Sequence, residues 1–463
     1  MNFIRIFNNL NAWLTMISFV KILCLPPKTI ICSLVLGGLI ISTVGCQKLF
    51  HAQDAPLKGQ TVTVSMTVPD TPPPAVKPLP PVTETVPQSE PAKSTLDVRL
   101  LPTHVPPSAE PVLLKPVRPA RTTIVKADTV LLGKTVAEDM VLRGTVLIKG
   151  SLVVAPQATL RIEPGTLVRF APAPGSPELP RLVIQGRIVA VGTVQHPVVF
   201  GPAYNESVAG DWGGIVLLNS EKKNTLDHCR IEGALTGLET HFSRFSGKGF
   251  VVTRSRSGVV LFDSEASLQG STISRCDTGC RLSDSELDLR DSTIQENRQG
   301  IAGQRSSFTL TSVKIISNSQ EGIVADHCRF RLSSSLFAEN RSGVRFTGGD
   351  GQFFLCRFYQ NRENGAELAG VRIRINNSAF IRNAGVGLVI ENARGSVVGS
   401  AFTENRGGNL HNRGNELFAA LLNWWGSADE KQIAAGIVDH ARKDDAALVS
   451  FAPFLKERPA TAP

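Results

Sequence analysis

Hydrophobic residues alternate with small or polar residues in short stretches along most of the chain after residue 128. In one part of the sequence these stretches are Leu287-x-Leu289, Ser292-x-Ile294 and Ile301-x-Gly303. A period of two is typical of a β-strand in which every second side chain points toward the core. Three such stretches recur every 21 or 22 residues, so the pattern predicts three short strands per repeat.

Three columns of residues keep this step in phase over nine repeats. The glycine column consists of Gly237, Gly258, Gly279, Gly300, Gly322, Gly343, Gly365, Gly387 and Gly408. The apolar column consists of Ile231, Val252, Ile273, Ile294, Ile315, Phe337, Phe358, Phe380 and Phe402. The third column consists of Ala234, Ser255, Cys276, Asn297, Asn318, Asn340, Asn361, Asn383 and Asn405. Columns in phase indicate that like residues stack on one another in successive repeats.

The repeat predicts an all-β fold, a right-handed parallel β-helix in which each stretch of 21–22 residues forms one rung of a solenoid. Rungs stacked about 4.8 Å apart would place the asparagines in a ladder of hydrogen-bonded amides. A leucine-rich repeat has an overlapping period, but it needs leucine two residues before the apolar column. This chain has small or polar residues there, such as Ser292 and Ser378, so the β-helix is favoured.

The sequence before the repeats predicts an export signal followed by a flexible linker. Residues 1–46 contain the uncharged apolar run Thr29–Gly45, and Thr43-Val44-Gly45-Cys46 resembles a bacterial lipobox. The resemblance implies lipid attachment at Cys46 and a membrane-anchored lipoprotein of the bacterial cell envelope, on the outer membrane facing the periplasm or the cell surface. An uncleaved anchor and a secreted soluble form are the alternatives. Residues 47–127 are expected to be a disordered Pro-rich tether, since sixteen of the 29 prolines lie between Pro56 and Pro119.

The two ends of the repeat region, residues 128–456, resemble bacterial β-helix proteins of the pectin-lyase-like superfamily. The opening segments are Thr159–Phe170, Leu182–Gly186 and Asp211–Ile215. At the other end a helix is predicted over Ala428–His440, with Ser427 and Glu430 spaced as a capping box, and this helix would cover the end of the solenoid. The superfamily contains lyases, hydrolases, adhesins and inert scaffolds, so the resemblance implies a fold and leaves the activity open.

An acidic group comes from two neighbouring repeats and consists of Asp263, Glu265, Asp284 and Glu286. Stacked carboxylates could hold Ca²⁺, which takes six to eight oxygen ligands, and the resemblance implies a lyase site with an arginine base. The alternative is a ladder of opposite charges, because Arg244 and Arg305 fall one repeat away from Glu265 and Asp284. No other cofactor is expected. The cysteines that fall within the repeats are expected to fill the core, and a bridge between Cys276 and Cys280 is left open.

A basic group of nine arginines lies between residues 329 and 382 in a chain of formal charge +9. The candidates chosen from it, with one neighbouring tyrosine, to bind an anionic polysaccharide are Arg331, Arg341, Arg345, Arg357, Tyr359, Arg362 and Arg374. Arg presents a planar fork that pairs with carboxylate or sulfate, and Arg341 and Arg362 are expected to point outward from adjacent rungs. A solvated surface of Arg–Glu pairs is the alternative. Nucleic acid is not an expected partner of an exported protein.

The sequence therefore predicts an envelope-anchored β-helix that serves as a non-catalytic polysaccharide-binding or scaffold module. The alternative is a polysaccharide lyase or glycoside hydrolase acting on an acidic glycan. Whether the protein is an enzyme is left open by the motifs, with binding favoured.

Overall fold

The computed structural model describes residues 126–439, 448–460 and 462. Within them the chain forms 39 parallel-paired β-strands and one short helix, which together make a parallel β-solenoid. The predicted lipid-attachment segment 1–46, with Cys46, and nearly all of the predicted tether 47–127 lie outside the described residues. Among the residues that are described, no helix is long and apolar enough to cross a membrane.

Each rung contributes one strand to each of three faces, here called face 1, face 2 and face 3 in the order in which the chain visits them. The first rungs contain two long strands that extend over both face 1 and face 2, namely β1 (Thr129–Val136) and β3 (Thr145–Val154). Face 1 consists of β5 (Leu167–Ala171), β8 (Val198–Pro202), β11 (Cys229–Glu232), β14 (Val251–Thr253), β17 (Thr272–Ser274), β20 (Thr293–Gln295), β23 (Lys314–Ile316), β26 (Leu336–Ala338), β29 (Arg357–Tyr359), β32 (Ala379–Ile381) and β35 (Ala401–Thr403).

Face 2 consists of β6 (Arg181–Ile184), β9 (Gly214–Leu218), β12 (Thr236–His241), β15 (Ser257–Phe262), β18 (Thr278–Ser283), β21 (Gln299–Gln304), β24 (Ile323–Asp326), β27 (Val344–Thr347), β30 (Ala366–Ala369), β33 (Leu388–Glu391), β36 (Leu410–Asn412) and β38 (Ile437–Asp439). Face 3 consists of β2 (Met140–Leu142), β4 (Thr159–Ile162), β7 (Arg187–Val191), β10 (Asn224–Asp227), β13 (Arg244–Lys248), β16 (Glu265–Gln269), β19 (Glu286–Arg290), β22 (Ser307–Thr311), β25 (Arg329–Ser333), β28 (Asp350–Phe354), β31 (Arg372–Asn376), β34 (Arg394–Val398), β37 (Phe418–Ala419) and β39 (Val449–Ser450). The predicted all-β solenoid is therefore confirmed.

The chain turns each corner through one residue with left-handed backbone angles. In one rung these residues are Asp284, Asp291 and Glu296, with φ of 50°, 50° and 56°. A non-glycine residue in this region costs about 1–2 kcal/mol, so something must hold the corner in place. The residue that follows each of them is small and buried, and it belongs to a ladder that runs along the corner.

Three ladders of polar side chains satisfy the backbone at the corners. At the corner between faces 2 and 3, the Ser285 N–H donates to Ser306 Oγ of the next rung at 3.1 Å. Between faces 3 and 1, the Ser271 N–H donates to Ser292 Oγ at 3.0 Å. Between faces 1 and 2, the Asn297 N–H donates to Asn318 Oδ1 at 3.0 Å. Each rung thus completes the hydrogen bonds of the rung before it.

The asparagine ladder has the register that the sequence columns predict. Asn340 Oδ1 accepts from both the backbone N–H and Nδ2 of Asn318, at 3.0 and 2.9 Å. Asn340 Nδ2 donates to the Ile315 carbonyl at 2.9 Å. The glycine column lies beside this ladder, and a Cβ on Gly343 would collide with the carbonyl oxygen of Gly365. Glycine is required there by close stacking of backbone on backbone.

Aromatic rings stack through the core of the last rungs. Phe337, Phe358, Phe380, Phe402 and Trp425 form a continuous pile with centroid distances between 4.7 and 4.9 Å. Each such pair contributes about 0.5–1.5 kcal/mol beyond the burial of its area. This stack contains the last residues of the apolar column, and Trp425 is its final ring at the C-terminal end of the solenoid.

The C-terminal helix is shorter than the sequence predicted. The helix α1 spans Glu430–Ala435, and its N-cap is Asp429, whose side chain accepts from the Lys431 N–H at 3.0 Å. The predicted capping box of Ser427 and Glu430 was wrong, because Ser427 Oγ accepts from the Asp429 N–H just before the helix. The chain then returns to the sheet, since β38 pairs with β36. Residues 437–439 of the predicted helix are therefore strand.

Replacement of one ladder asparagine should weaken the fold. Asn340→Leu leaves the Asn318 N–H without its acceptor in a fully buried position, so we expect the free energy of unfolding to fall by about 1–3 kcal/mol. Denaturant unfolding followed by circular dichroism measures the change. The matched control is Asn376→Leu, at an outward position of face 3, which should change stability by less than about 0.5 kcal/mol. Equal stability of Asn340→Leu and wild type would contradict the ladder.

Candidate functional site

The structure separates the seven predicted binding residues into four places. Arg331 and Arg374 lie on face 3 in β25 and β31. Arg357 and Tyr359 lie on face 1 in β29, and Arg345 lies on face 2 in β27. The remaining two, Arg341 and Arg362, lie at the corner between faces 1 and 2, directly after the ladder asparagines. They do not form one strip, because neighbours in sequence are distributed around the rung.

The arginines at the corner between faces 1 and 2 are engaged by the protein itself. Arg341 Nε lies 2.9 Å from Glu363 Oε1, and this hydrogen bond raises the pKa of Arg341. Arg362 donates through Nη2 to the Asn318 carbonyl at 3.0 Å. A groove of about 780 Å³ runs along this corner, but its Arg382 is also paired, with Glu404 at 2.8 Å. Arg341 and Arg362, which were expected to point outward toward a ligand, therefore already have partners within the protein.

The candidates on faces 1 and 2 are engaged as well. Arg345 lies between Glu321 and Glu367, at 3.1 Å from each carboxylate. Partial burial lowers the pKa of Arg345, but the hydrogen bond to Glu367 and the charges of both carboxylates together outweigh it, so the pKa is raised overall. Arg357 packs over the ring of Tyr359, with its guanidinium carbon 4.6 Å from the ring centroid. These side chains therefore make contacts within their own faces. Tyr359, the one aromatic residue among the binding candidates, is occupied by its cation–π contact with Arg357.

Of the candidate arginines, the two on face 3 have no partner in the part of the chain that the structure describes. Arg331 and Arg374 are exposed and make no hydrogen bond or ion pair with the described residues. They occupy one outward column, Arg331–Gln352–Arg374, in successive strands β25, β28 and β31. Parallel neighbours are about 4.8 Å apart, so the two guanidinium stems are separated by roughly 10 Å along the solenoid axis. The residue between them is an amide, which offers no charge to either arginine.

A second column beside the first completes a groove of about 440 Å³. It consists of Arg329, Asp350 and Arg372 in the same three strands. Asp350 is the one carboxylate lining this groove and lies 3.9 Å from Arg329, while Arg372 has no partner among the described residues. The groove lining is Ser307, Phe308, Thr309, Arg329, Phe330, Arg331, Asp350, Gly351, Gln352, Arg372, Ile373 and Arg374.

Arg329 and Arg372 belonged to the basic group in the sequence but were not among the chosen candidates. The signal that identifies them is their spacing of two residues from Arg331 and Arg374. Residues two apart in a strand point to the same side of the sheet. Four arginines from two strands thus line one open groove, which forms a cationic surface able to accept carboxylate or sulfate groups.

Two members of the acidic group, Glu265 and Asp284, form ion pairs with arginines one rung away. Arg305 binds Asp284 through two hydrogen bonds, of 2.9 and 2.6 Å, and this contact lowers the pKa of Asp284. Arg244 lies 3.1 Å from Glu265. No three His, Cys, Asp or Glu side chains converge on one centre within the described ranges. The ladder of opposite charges therefore describes Glu265 and Asp284, while Glu265 and Glu286 are neighbours in register. Calcium binding by Asp263, Glu265, Asp284 and Glu286 stays a prediction.

The five cysteines in the described part of the chain are free and buried. Burial raises the pKa of the Cys276 thiol to about 11 and that of Cys356 to about 12. Cys276 and Cys280 are not bridged. Cys328 takes the place of a serine in the ladder between faces 2 and 3, where its Sγ accepts from the Ser306 N–H at 3.4 Å. These thiols fill the core and are not set up as nucleophiles.

Two family models match the chain. Residues 134–237 match the model described as a pectate-lyase-like β-helix domain, and residues 204–337 match the model of a right-handed β-helix region. Residues 134–337 therefore match models of β-helix domains, one of them pectate-lyase-like, and the predicted resemblance is confirmed for this part of the chain. No curated protein matches this sequence.

Several solved structures are similar to this chain, at low sequence identity and low TM-score. The periplasmic alginate epimerase AlgG is 12% identical, with 69% of this chain and 78% of that chain covered and a TM-score of 0.32. The A-module of the Azotobacter vinelandii mannuronan C-5 epimerase AlgE4 is 12% identical, with coverage of 66% and 91% and a TM-score of 0.34. The pectate lyase Pel9A is 13% identical, with coverage of 64% and 71% and a TM-score of 0.25. Similarity at this level concerns the β-helix alone.

The buried thiols should be unreactive in the folded protein. At about pH 8, a thiol with a pKa near that of Cys276 is thiolate in roughly one molecule in a thousand, and the core excludes the reagent. We expect iodoacetamide to leave Cys229, Cys276, Cys280, Cys328 and Cys356 unmodified under native conditions. All five should react in guanidinium without reductant, as peptide mapping by mass spectrometry would show. Resistance of Cys276 and Cys280 in guanidinium would reveal a bridge and contradict the structure.

Proposed function

We propose that this protein binds an acidic polysaccharide along face 3, in the groove between the two arginine columns. The observation that supports the proposal is the pair Arg331 and Arg374, which are exposed and have no partner among the described residues. Elsewhere on the surface the candidate arginines are paired with glutamate, with a carbonyl or with an aromatic ring. Unpaired guanidinium groups gain most from a ligand, because no internal contact has to be broken first.

The shape of the groove favours a long ligand that lies along the solenoid axis. The lining comes from strands β22, β25, β28 and β31, which follow one another along the solenoid axis. The arginines recur along the axis at the two-rung spacing, so a polymer with repeating anionic groups can contact both at once. A small anion would use one arginine and gain little over water.

Binding without catalysis is the favoured form of this proposal. Among the described residues that line the groove there is one carboxylate, Asp350, and neither histidine nor cysteine. Such a lining can hold an anionic chain but has no pair of groups for acid–base chemistry on a glycosidic bond. Lyase or hydrolase activity is the competing function, and it predicts new chain ends when the polymer is incubated with the protein.

A double substitution tests the groove. Arg331→Gln with Arg374→Gln removes two charge-assisted contacts, each worth about 1.5–3 kcal/mol, so affinity for an anionic polymer should fall at least about tenfold. Isothermal titration against alginate, polygalacturonate and a sulfated polymer measures it, at low and high salt. Binding to wild type should weaken with salt because the contacts are exposed.

Two controls accompany the double variant. Arg244→Gln removes a paired arginine from the acidic part of the same face, and Arg341→Gln removes one that is bound to Glu363. Both should keep the affinity within about twofold. Equal affinity of the double variant and wild type, or no binding of wild type to any polymer, would refute the proposal. Unsaturated sugars or new reducing ends in the same mixtures would favour the enzymatic alternative.

We also propose that the chain is held at the bacterial envelope by lipid on Cys46. The support is the apolar run followed by Thr43-Val44-Gly45-Cys46 and then by a Pro-rich segment. A polyproline segment rises about 3.1 Å per residue, so residues 47–127 are long enough to present the groove far from the membrane surface.

Intact mass of the membrane fraction tests this anchor. We expect a chain that begins at Cys46 and carries acyl groups, and Cys46→Ala should leave an unprocessed precursor without added lipid mass. A chain that retains residues 1–45 in wild type would show an uncleaved anchor instead. The same chain without acyl mass in the soluble fraction would show secretion.

A further inference from the structure

Face 3 carries an exposed phenylalanine beside the arginine groove. Phe354 is the last residue of β28, and 42% of its surface is exposed. The preceding residue, Phe353, points inward and is fully buried in the core. A single exposed hydrophobic residue is ordinary on a protein surface. The neighbours of Phe354 are what distinguish it.

The ring of Phe354 is flanked by short polar residues. Ser333 precedes it and Asn376 follows it in register in the adjacent strands β25 and β31. Neither side chain is long enough to cover a phenyl ring, and the aromatic contacts of the described residues do not include Phe354. Part of the ring is therefore exposed to solvent beside the groove.

The ring also lies next to the cationic column. Gln352 is two residues earlier in the same strand and on the same side, and Arg331 and Arg374 are at the diagonal positions of the neighbouring strands. Outward positions two apart along a strand are separated by about 7 Å, and diagonal neighbours remain within reach of long side chains. The aromatic ring thus lies beside the column, diagonal to two unpaired guanidinium groups, one in the strand before it and one in the strand after it.

We propose that Phe354 is a stacking platform for one sugar ring of the bound chain, and that it fixes the register of the anionic groups on Arg331 and Arg374. This inference rests on the proposed binding function. A carboxylate-bearing pyranose has an apolar face of C–H groups and a charged group at its edge. The apolar face would pack on the exposed ring, and the edge would point toward a guanidinium group.

The two kinds of contact should separate in their salt dependence. Contacts to arginine are screened by salt, whereas packing on an aromatic ring is not. The arginines would supply affinity for anionic polymers in general. The platform would supply the preference for sugar rings over other polyanions such as polyphosphate, which have no apolar face.

The molecule supplies a matched control in Phe242, the other strongly exposed phenylalanine of the described residues, at 62%. It lies at the corner between faces 2 and 3, beside Asp263 and Glu265. An anionic chain should avoid this acidic surrounding. Removal of its ring should therefore leave polysaccharide binding unchanged.

The test compares Phe354→Ala, Phe354→Trp and Phe242→Ala in the full-length protein by titration with oligouronates of uniform length from alginate and polygalacturonate. Phe354→Ala should weaken binding about threefold to tenfold, as expected for the loss of one aromatic contact. Its dependence on salt should match that of wild type. Phe354→Trp should retain the affinity, and its indole fluorescence should shift when the oligouronate binds. Phe242→Ala should bind as wild type does, and polyphosphate should bind Phe354→Ala and wild type equally.

The outcomes separate the two proposals. If wild type binds and the double arginine variant does not, but Phe354→Ala binds as tightly as wild type, the platform is refuted and the groove stands. If Phe354→Ala also weakens polyphosphate binding, the ring supports the fold of the groove and is not a sugar platform. If wild type binds no oligouronate, both proposals fail.

Discussion

The structure depends on how it satisfies the backbone at the three corners of each rung. A left-handed residue turns the chain there, and the next N–H points along the axis with no partner in its own rung. Buried N–H groups without an acceptor cost about 1–3 kcal/mol each. The side chain one rung ahead accepts this bond, as Ser306 does for Ser285 and Asn318 does for Asn297. Most residues of these ladders are serine or asparagine, whose side chains fit inside the turn and also reach the rung before them. Phe250 and Val313 interrupt the ladder between faces 3 and 1.

This constraint leaves the outer surface free to vary. The stability of a rung comes from its corners, from parallel pairing and from inward residues such as the stack that ends at Trp425. Outward side chains on faces 1, 2 and 3 contribute little to it, because exposed ion pairs are worth roughly 0–1 kcal/mol. The fold can therefore carry an acidic part and a basic part on the same face, as it does with Glu265 and Arg331 on face 3. Function on such a scaffold therefore depends on which outward side chains lie in register in successive rungs of one face.

The repeat could be predicted from sequence because its physical cause is periodic. Columns of Gly, Phe and Asn at steps of 21 or 22 residues report stacking directly, and the register found for Asn340 and Phe358 follows from them. The site was harder to predict, because the partner of each arginine depends on side-chain reach across rungs. Arg341 could have met Glu339 in its own rung but meets Glu363 in the next. The start of the C-terminal helix was also hard to predict, because Ser427 and Asp429 are both suitable N-cap residues. In the structure Asp429 is the N-cap.

The distribution of carboxylates on face 3 explains why the basic part remains open. Near Arg244 and Arg305 a carboxylate lies one rung away from each arginine, and the charges neutralise each other in place. In strands β25, β28 and β31 one outward column has no carboxylate, because Gln352 lies between Arg331 and Arg374. In the other column Asp350 lies between Arg329 and Arg372 and, at 3.9 Å from the first, is only a loose partner. Arg394, in the next strand, is paired with Glu416. The arginines that flank these three rungs along the solenoid axis, Arg305 and Arg394, each have a carboxylate partner. A ligand that supplies anions would therefore pair with the arginines that the described residues of face 3 leave without one.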